Sequence, residues 1–260
     1  MALNHFRPLT AVAIFTLLTA CGGSPAPASS APPADAKRVD VSKAGTVSGR
    51  VMLDGAAPAN PPVKLAADPY CVQQHPKGAT FENFVVDDGG LENVFVYVKD
   101  GLDGYYFEPP TESVTLDQQG CQYRPHVLGV QTGQKLQISN SDDTLHNVHG
   151  MGQANQEFNA QQQMKHITTD KVFAKREVMM PFKCDVHSWM HAFVGVVEHP
   201  YFAVTHDGGK FELKNLPAGT YTVEAWHEKL GTQTQSVTLA EKASKPLTFT
   251  FKAPAAPAAN

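Results

Sequence analysis

The chain has 260 residues, of which 42% are hydrophobic, 18% charged and 9% aromatic, and its formal net charge is −4. At about 100–200 residues per domain this allows one or two domains, and the composition excludes a disordered acidic chain, a collagen-like chain and a polytopic membrane protein. The small charge and the lack of a Lys/Arg run argue against nucleic acid as a partner, while 20 Gly, 19 Pro and few helix-period stretches read as a turn-rich, all-β chain. Residues 1–20 carry one cation, Arg7, followed by an apolar run from Ala11 to Leu18. That run matches a secretory signal peptide and is too short for a bilayer core of about 30 Å. Residues 21–40, with GGSPAPASSAPPADA at 22–36, cannot bury a core and read as a tether.

Beyond the tether, 45–53 alternates Val47, Val51 and Leu53 with small or polar residues and turns at Asp54-Gly55. Asn93–Lys99 is apolar on both faces, as a central strand is. Ser113–Leu116 and Lys135–Ser139 alternate, and a polar turn from Asn140 then delivers His146 at the start of a strand. A loop containing Cys184, His187 and Met190 leads into a strand at Phe193–Glu198. The last third is a run of strands at 202–205, 210–213, 220–226, 234–239 and 247–251, punctuated by Asp207-Gly208-Gly209 and Pro217-Ala218-Gly219. Residues 253–260, APAAPAAN, read as a disordered tail.

Cys, His and Met within seven residues form an unusual donor set. Thiolate and thioether favour copper, especially Cu(I), and imidazole suits both oxidation states. One further His from a neighbouring strand completes a trigonal set of two imidazoles and one thiolate, with a weak axial thioether. Such a set changes little between Cu(II) and Cu(I), so electrons move quickly. No nucleophile–base motif, phosphate loop or paired-carboxylate pattern stands out, so the expectation is a non-enzyme.

Three resemblances extend this reading. Leu18-Thr19-Ala20-Cys21 resembles the bacterial lipobox, which implies lipidation of Cys21 and an anchor in the cell envelope. Gly22 after it, by the sorting rule that goes with the resemblance, implies a periplasmic or outer-membrane lipoprotein. The stretch DGGKFELKNLPAGTYTVEAW, with GTVSGRVMLDG upstream, resembles the carboxypeptidase regulatory-like (transthyretin-like) β-sandwich. The motifs LHNVH at 145–149 and CDVHSWM at 184–190 resemble the cupredoxins, most nearly the amicyanins and plastocyanin-like blue copper proteins.

The cupredoxin resemblance implies one type-1 copper held by His146, Cys184, His187 and Met190. It implies that Asn147 ties the ligand loop to its neighbour. It also implies a partly exposed His187 edge for electron exchange, with Val186, Trp189 and Phe193 as its apolar surround. Val186, Ser188 and Leu145 stand where amicyanin-type loops carry prolines, and His149 and His191 are near enough to be alternative ligands. The expected fold is a cupredoxin Greek-key sandwich at 105–199, inserted in or adjacent to a transthyretin-like sandwich of 41–104 and 200–252. The expected function is single-electron transfer between redox proteins, with a c-type cytochrome or a periplasmic dehydrogenase as candidate partners. Copper storage or delivery as Cu(I), and a non-redox structural module, are the alternatives.

With Cys21 lipidated and Cys184 a ligand, Cys71 and Cys121 remain and are expected to pair, since spare thiols oxidise in an exported protein. The rival is a metal site from Cys71, His75, Cys121 and His126. A zinc site from His146, Cys184, His187 and His191 competes with copper, although zinc has no use for a thioether. The histidines at 75, 126, 166, 199, 206 and 227 show no clustering in sequence. Met151, Met164, Met179 and Met180 suggest either core packing or a copper-shuttling surface.

Overall fold

The computed structural model describes Met1 and residues 34–255. Residues 2–33, which hold most of the expected signal peptide (1–20), the expected lipidation site Cys21 and much of the expected tether, and residues 256–260 lie outside the described residues. The first part of the chain forms β1 (Gly45–Asp54), a short helix α1 (Pro69–Gln74), β2 (Val86–Asp87), β3 (Gly90–Leu91) and β4 (Phe95–Asp100). The middle part forms β5 (Val114–Gln118), β6 (Tyr123–Arg124), β7 (Val127–Gln131), β8 (Lys135–Asn140), β9 (His146–Gly150), β10 (Phe158–Gln162), β11 (Thr168–Val172), β12 (Glu177–Lys183) and β13 (His191–Val197). The last part forms β14 (Phe202–Val204), β15 (Lys210–Leu216), β16 (Gly219–His227), β17 (Gly231–Leu239) and β18 (Ser244–Lys252). The protein is all-β, as the turn-rich sequence predicts.

These strands make four sheets. Sheet I runs β15-β1-β3-β2, with β18 also paired to β1, and sheet II runs β14-β4-β16-β17. Sheet III runs β10-β9-β12-β13-β7, and sheet IV runs β11-β8-β5-β6. Strands of the first and last thirds of the chain therefore share sheets I and II, and the middle third builds III and IV. The first and last strands close on each other: β1 and β18 pair in parallel from Thr46/Ser244 to Asp54/Lys252.

Three apolar layers separate the sheets. Val47, Val51, Val96, Val98, Tyr221 and Phe249 are among the side chains filling the space between I and II. Leu116, Leu136, Ile138, Val148, Phe182 and Val194 are among those filling III and IV. Phe95, Tyr97, Val127, Met179 and Val197 join II to III. This explains why β4 is apolar on both faces: its even residues serve the first core and its odd residues the junction. A fully buried side chain of this size contributes about 1.5–3 kcal/mol. Glycine makes the close approach possible, because a Cβ at Gly195 on β13 would meet the Phe95 ring at 2.5 Å.

The connection between β1 and β2 matters most for the site. Leu65 and Cys71 are buried in the core of sheets III and IV, with Val63, Tyr70, Ala79 and Phe81 packed against it. The stretch from Val63 to Phe81, which lies inside the segment expected to be transthyretin-like, thus covers the other sandwich. Asn60 and Phe84 close its base through two reciprocal hydrogen bonds of 2.8 and 2.9 Å. The Cys71–Cys121 disulfide pins its middle to the turn before β6, so the rival metal site at Cys71, His75, Cys121 and His126 does not exist. His75 instead bonds the Gly120 carbonyl at 2.6 Å.

Candidate metal centre

Three strand ends and one helix cap converge on the centre. β9 opens on His146, β12 ends one residue before Cys184, and a loop carries the chain from Cys184 through His187 and Met190 into β13. The loop is closed by backbone bonds at both ends: Cys184 N–H donates to the Met190 carbonyl at 3.0 Å, and Met190 N–H donates to the His187 carbonyl at 2.9 Å. Tyr123 adds a tie between the two ligand strands, its hydroxyl donating to the Asn147 and Lys183 carbonyls at 2.7 and 3.1 Å.

The donor atoms of His146, Cys184 and His187 all lie within 4.8 Å of one another. The two Nδ1 atoms are 3.0 Å apart, and Cys184 Sγ is 3.8 Å from His187 Nδ1. An ion with metal–nitrogen bonds of about 2.0 Å and a metal–sulfur bond of about 2.3 Å in a trigonal plane needs separations of about 3.5 and 3.7 Å. Those two separations fit one first-row ion after adjustments of about half an ångström or less, and the third, from His146 to Cys184, lies within 4.8 Å. Met190 is buried in the same core as Cys184.

The outward faces of both imidazoles are held by carboxylates. Asp142 Oδ2 lies 2.9 Å from His146 Nε2, and Asp68 Oδ2 lies 3.0 Å from His187 Nε2. A carboxylate at Nε2 keeps the proton there and leaves the Nδ1 lone pair facing inward. Each carboxylate is itself anchored. Asp142 accepts from the Gly120 and Cys121 N–H groups at 2.8 and 2.7 Å. Asp68 caps α1 by accepting from Tyr70 and Cys71 N–H, and accepts from Thr144 Oγ1 at 2.8 Å.

Cys184 is the buried free thiol among the described residues. Burial opposes its ionisation, but in the metal-free protein hydrogen bonds from His146 and His187, with their rings doubly protonated, and from the Asn147 and His187 N–H groups outweigh that and lower its pKa to about 6. Burial likewise works against protonating His146, and the Asp142 and Cys184 partners reverse it, so its pKa is raised. Asn147 bonds both sides of the 184 region: its N–H points at Cys184 Sγ at 3.4 Å and its side chain accepts from Asp185 N–H.

Several expectations need correction. His187 is only 2% exposed, its Nε2 edge is covered by Asp68, and Trp189 is buried with its Nε1–H donated to the Cys121 carbonyl. Phe193 faces sheet II, against Trp226 at 5.0 Å. Of the three patch residues, Val186 is the exposed one, at 47%. The patch does not form because the β1–β2 connection covers His187 through Asp68 and Phe193 packs on sheet II. His149 and His191 do not reach the centre: His149 is held between Asp185 and Glu157, and His191 Nδ1 faces the Trp189 carbonyl. The zinc set that needed His191 is lost with it. Met179 and Met180 are buried, so the four methionines do not form a surface.

Sequence reasoning passed over Asp142 and Asp68. Asp142 precedes His146 by four residues, which is a readable signal; Asp68 is 119 residues from His187 and leaves none.

No family model matches the chain, and no curated protein matches it. Among solved structures, a Cu(I) amicyanin variant is 17% identical, over 32% of this chain and 81% of that one, with a TM-score of 0.30. A second amicyanin variant, in the reduced state, is 15% identical over 40% of this chain and 99% of that one, also at 0.30. A purple cupredoxin from Nitrosopumilus maritimus is 18% identical over 32% and 97%, at 0.28. The chain is thus distantly similar to small copper-protein structures over about a third of its length, and its own geometry has to carry the functional argument.

Proposed function

We propose that the chain is a copper protein that carries single electrons, with one type-1 copper held by His146, Cys184 and His187 and an axial Met190. The single observation that carries this reading is the convergence of one thiol and two inward-facing Nδ1 atoms within 4.8 Å. Copper there would supply a one-electron couple with a covalent, soft thiolate bond. The chain's own residues do the rest. Cys184, with its pKa near 6, offers thiolate at neutral pH. Asp142 and Asp68 keep both rings oriented, so little has to move when the charge at the centre changes. The backbone bonds of the 184–190 loop hold the thiolate and His187 together, and burial excludes water.

That same burial supports retention over hand-over. His146, Cys184 and His187 are 0, 2 and 2% exposed, and exchange of Cu(I) with a second protein would require the β1–β2 connection to lift. Electron exchange with a redox protein is then proposed to use the surface of Asp185, Val186 and Ser188, in a contact of small area. Lipidation at Cys21 and a place in the bacterial envelope belong to the proposal, as does the view of 105–199 as an insertion in a transthyretin-like sandwich, for which the β1–β18 pairing is support.

The test is an absorption and EPR spectrum of the copper-loaded protein. An intense visible thiolate-to-copper(II) band with reversible bleaching on reduction is expected, and Cys184→Ser should erase it. A band that persists in Cys184→Ser, or copper that leaves on reduction, overturns the electron-carrier reading.

A further inference from the structure

A second group of metal-binding side chains lies outside the centre, on the seam between sheets II and III. His126 immediately precedes β7, His191 opens β13, and Glu228 follows β16 in the turn to β17. The sequence shows no cluster here, because 102 residues separate His126 from Glu228. In the fold, one nitrogen of each ring and one carboxylate oxygen lie within 4.8 Å of one another. His126 Nε2 is 2.7 Å from Glu228 Oε1, and His191 Nε2 is 3.9 Å from Oε2. The ring centroids are 5.0 Å apart.

The second distance is informative. At 3.9 Å, His191 Nε2 is too far to hydrogen-bond Glu228 but within about half an ångström of the roughly 3.4 Å that separates two ligands of one tetrahedral ion with bonds of about 2.0–2.2 Å. Its ring is already oriented, since Nδ1 lies 3.0 Å from the Trp189 carbonyl. The Glu228 side chain is only 4% exposed, and its turn is held by the Lys229 and Leu230 N–H groups, which donate to His227 Nδ1 and its carbonyl. A cavity of about 20 Å3, lined by His126, His191, Phe81 and Met190 among others, adjoins the two rings. That is room for one water molecule. Lys229 Nζ, 3.0 Å from Oε2, is the cation now opposing the carboxylate.

We propose that His126, His191 and Glu228 form a second metal site, for a divalent ion of borderline softness such as Zn2+, with a water as fourth ligand. Two imidazoles and one carboxylate, without a thiolate, suit Zn2+ and leave one position open. The ion clamps the β16–β17 turn of the outer sandwich onto the central sheet, next to the existing ring contact of Phe193 with Trp226. The inference is independent of copper at the first centre.

Co2+ is the probe, because it separates the two sites by colour. In the full chain carrying Cys184→Ser, one equivalent of Co2+ should bind with weak visible bands and no thiolate charge-transfer absorption. Adding Glu228→Gln should weaken this by about 100-fold, as loss of a ligand contact does. Lys229→Ala, a change at a half-exposed side chain with no role in the core, should tighten Zn2+ and Co2+ by about 5-fold, because the ammonium no longer competes. The proposal is overturned if the Cys184→Ser chain takes up no stoichiometric Co2+, if Glu228→Gln leaves uptake unchanged, or if Lys229→Ala fails to tighten it. The Lys229→Ala result decides the matter should Glu228→Gln not fold.

Discussion

The two sandwiches are filled by opposite means. Between sheets I and II the apolar core is Val, Leu, Phe, Ala and Tyr, and the buried imidazoles beside it, His199 against Tyr201 and His227 against Phe251, stand singly. Between sheets III and IV the apolar layer gives way at one end to Asn140, Asp142, His146, Asn147 and His187, all buried. Each of these has a partner, Asn140 through donation to the Thr144 and Gln162 carbonyls and acceptance from Asp142 N–H, because a buried polar group without one costs about 1–3 kcal/mol. The first core tolerates change in proportion to volume; the second end tolerates it only where a whole hydrogen-bond set survives. Scaffold and chemistry are thus concentrated in different sandwiches of one chain.

The largest effects should separate those halves. Phe249→Ala empties a site that is fully buried in the outer core and should cost about 3–5 kcal/mol in urea unfolding, leaving the metal-bound spectrum unchanged. Removing the disulfide by Cys71→Ser with Cys121→Ser reopens a loop of 50 residues and should cost about 4 kcal/mol in the chain-entropy account. Unlike Phe249→Ala, it should also speed alkylation of Cys184, since the covering connection is no longer pinned. Equal alkylation rates would mean that the connection holds without it.

Acidity gives a subtler separation, for the metal-free protein. Cys184 has a depressed pKa of about 6 against an ordinary 9.0. Its folded state binds fewer protons in that window, so stability should rise as pH climbs from about 6 to 9 and be lost as pH falls through 6. Cys184→Ser should flatten that slope. His199 and His227 are pushed down to about 4, chiefly by burial. They stay neutral when folded but take up protons when unfolded below the usual 6.5, so stability should fall as pH drops from about 6.5 towards 4. That second slope should survive Cys184→Ser. The smallest effect is expected from Asp68→Asn: Asn caps a helix about as well as Asp, so stability should change little, while the visible band of the copper-loaded protein should shift because His187 Nε2 is less firmly held.

How much of this is legible in the sequence depends on the range of the interaction. The strands at β1, β8, β15, β16 and β18 follow from period-two alternation and from Gly- or Pro-containing turns, and β4 from an apolar run preceded by a Gly-Gly turn. Those at β7, β10 and β11 carry no such signal, the first because Val127-Leu128-Gly129-Val130 is apolar on both faces and the other two because they are polar edge strands. The 184–190 loop is local, so three of its residues could be named together with a chemistry. The patch around His187 was misplaced because nothing in that loop reports what covers it.

Composition, alternation and ligand spacing by themselves determined an all-β chain and a soft donor set, and favoured a Cys71–Cys121 pairing over the rival metal site that the structure then removed. These rest on contacts within a few residues or, for the disulfide, on elimination. Tertiary structure alone decided that a connection from one sandwich caps the other, that Asp68 faces His187, and that His126, His191 and Glu228 meet. Those contacts join residues far apart in the chain, 119 positions for Asp68 and His187 and 102 for His126 and Glu228. Only the folded packing of four sheets sets such distances, since no local preference of the backbone reaches that far.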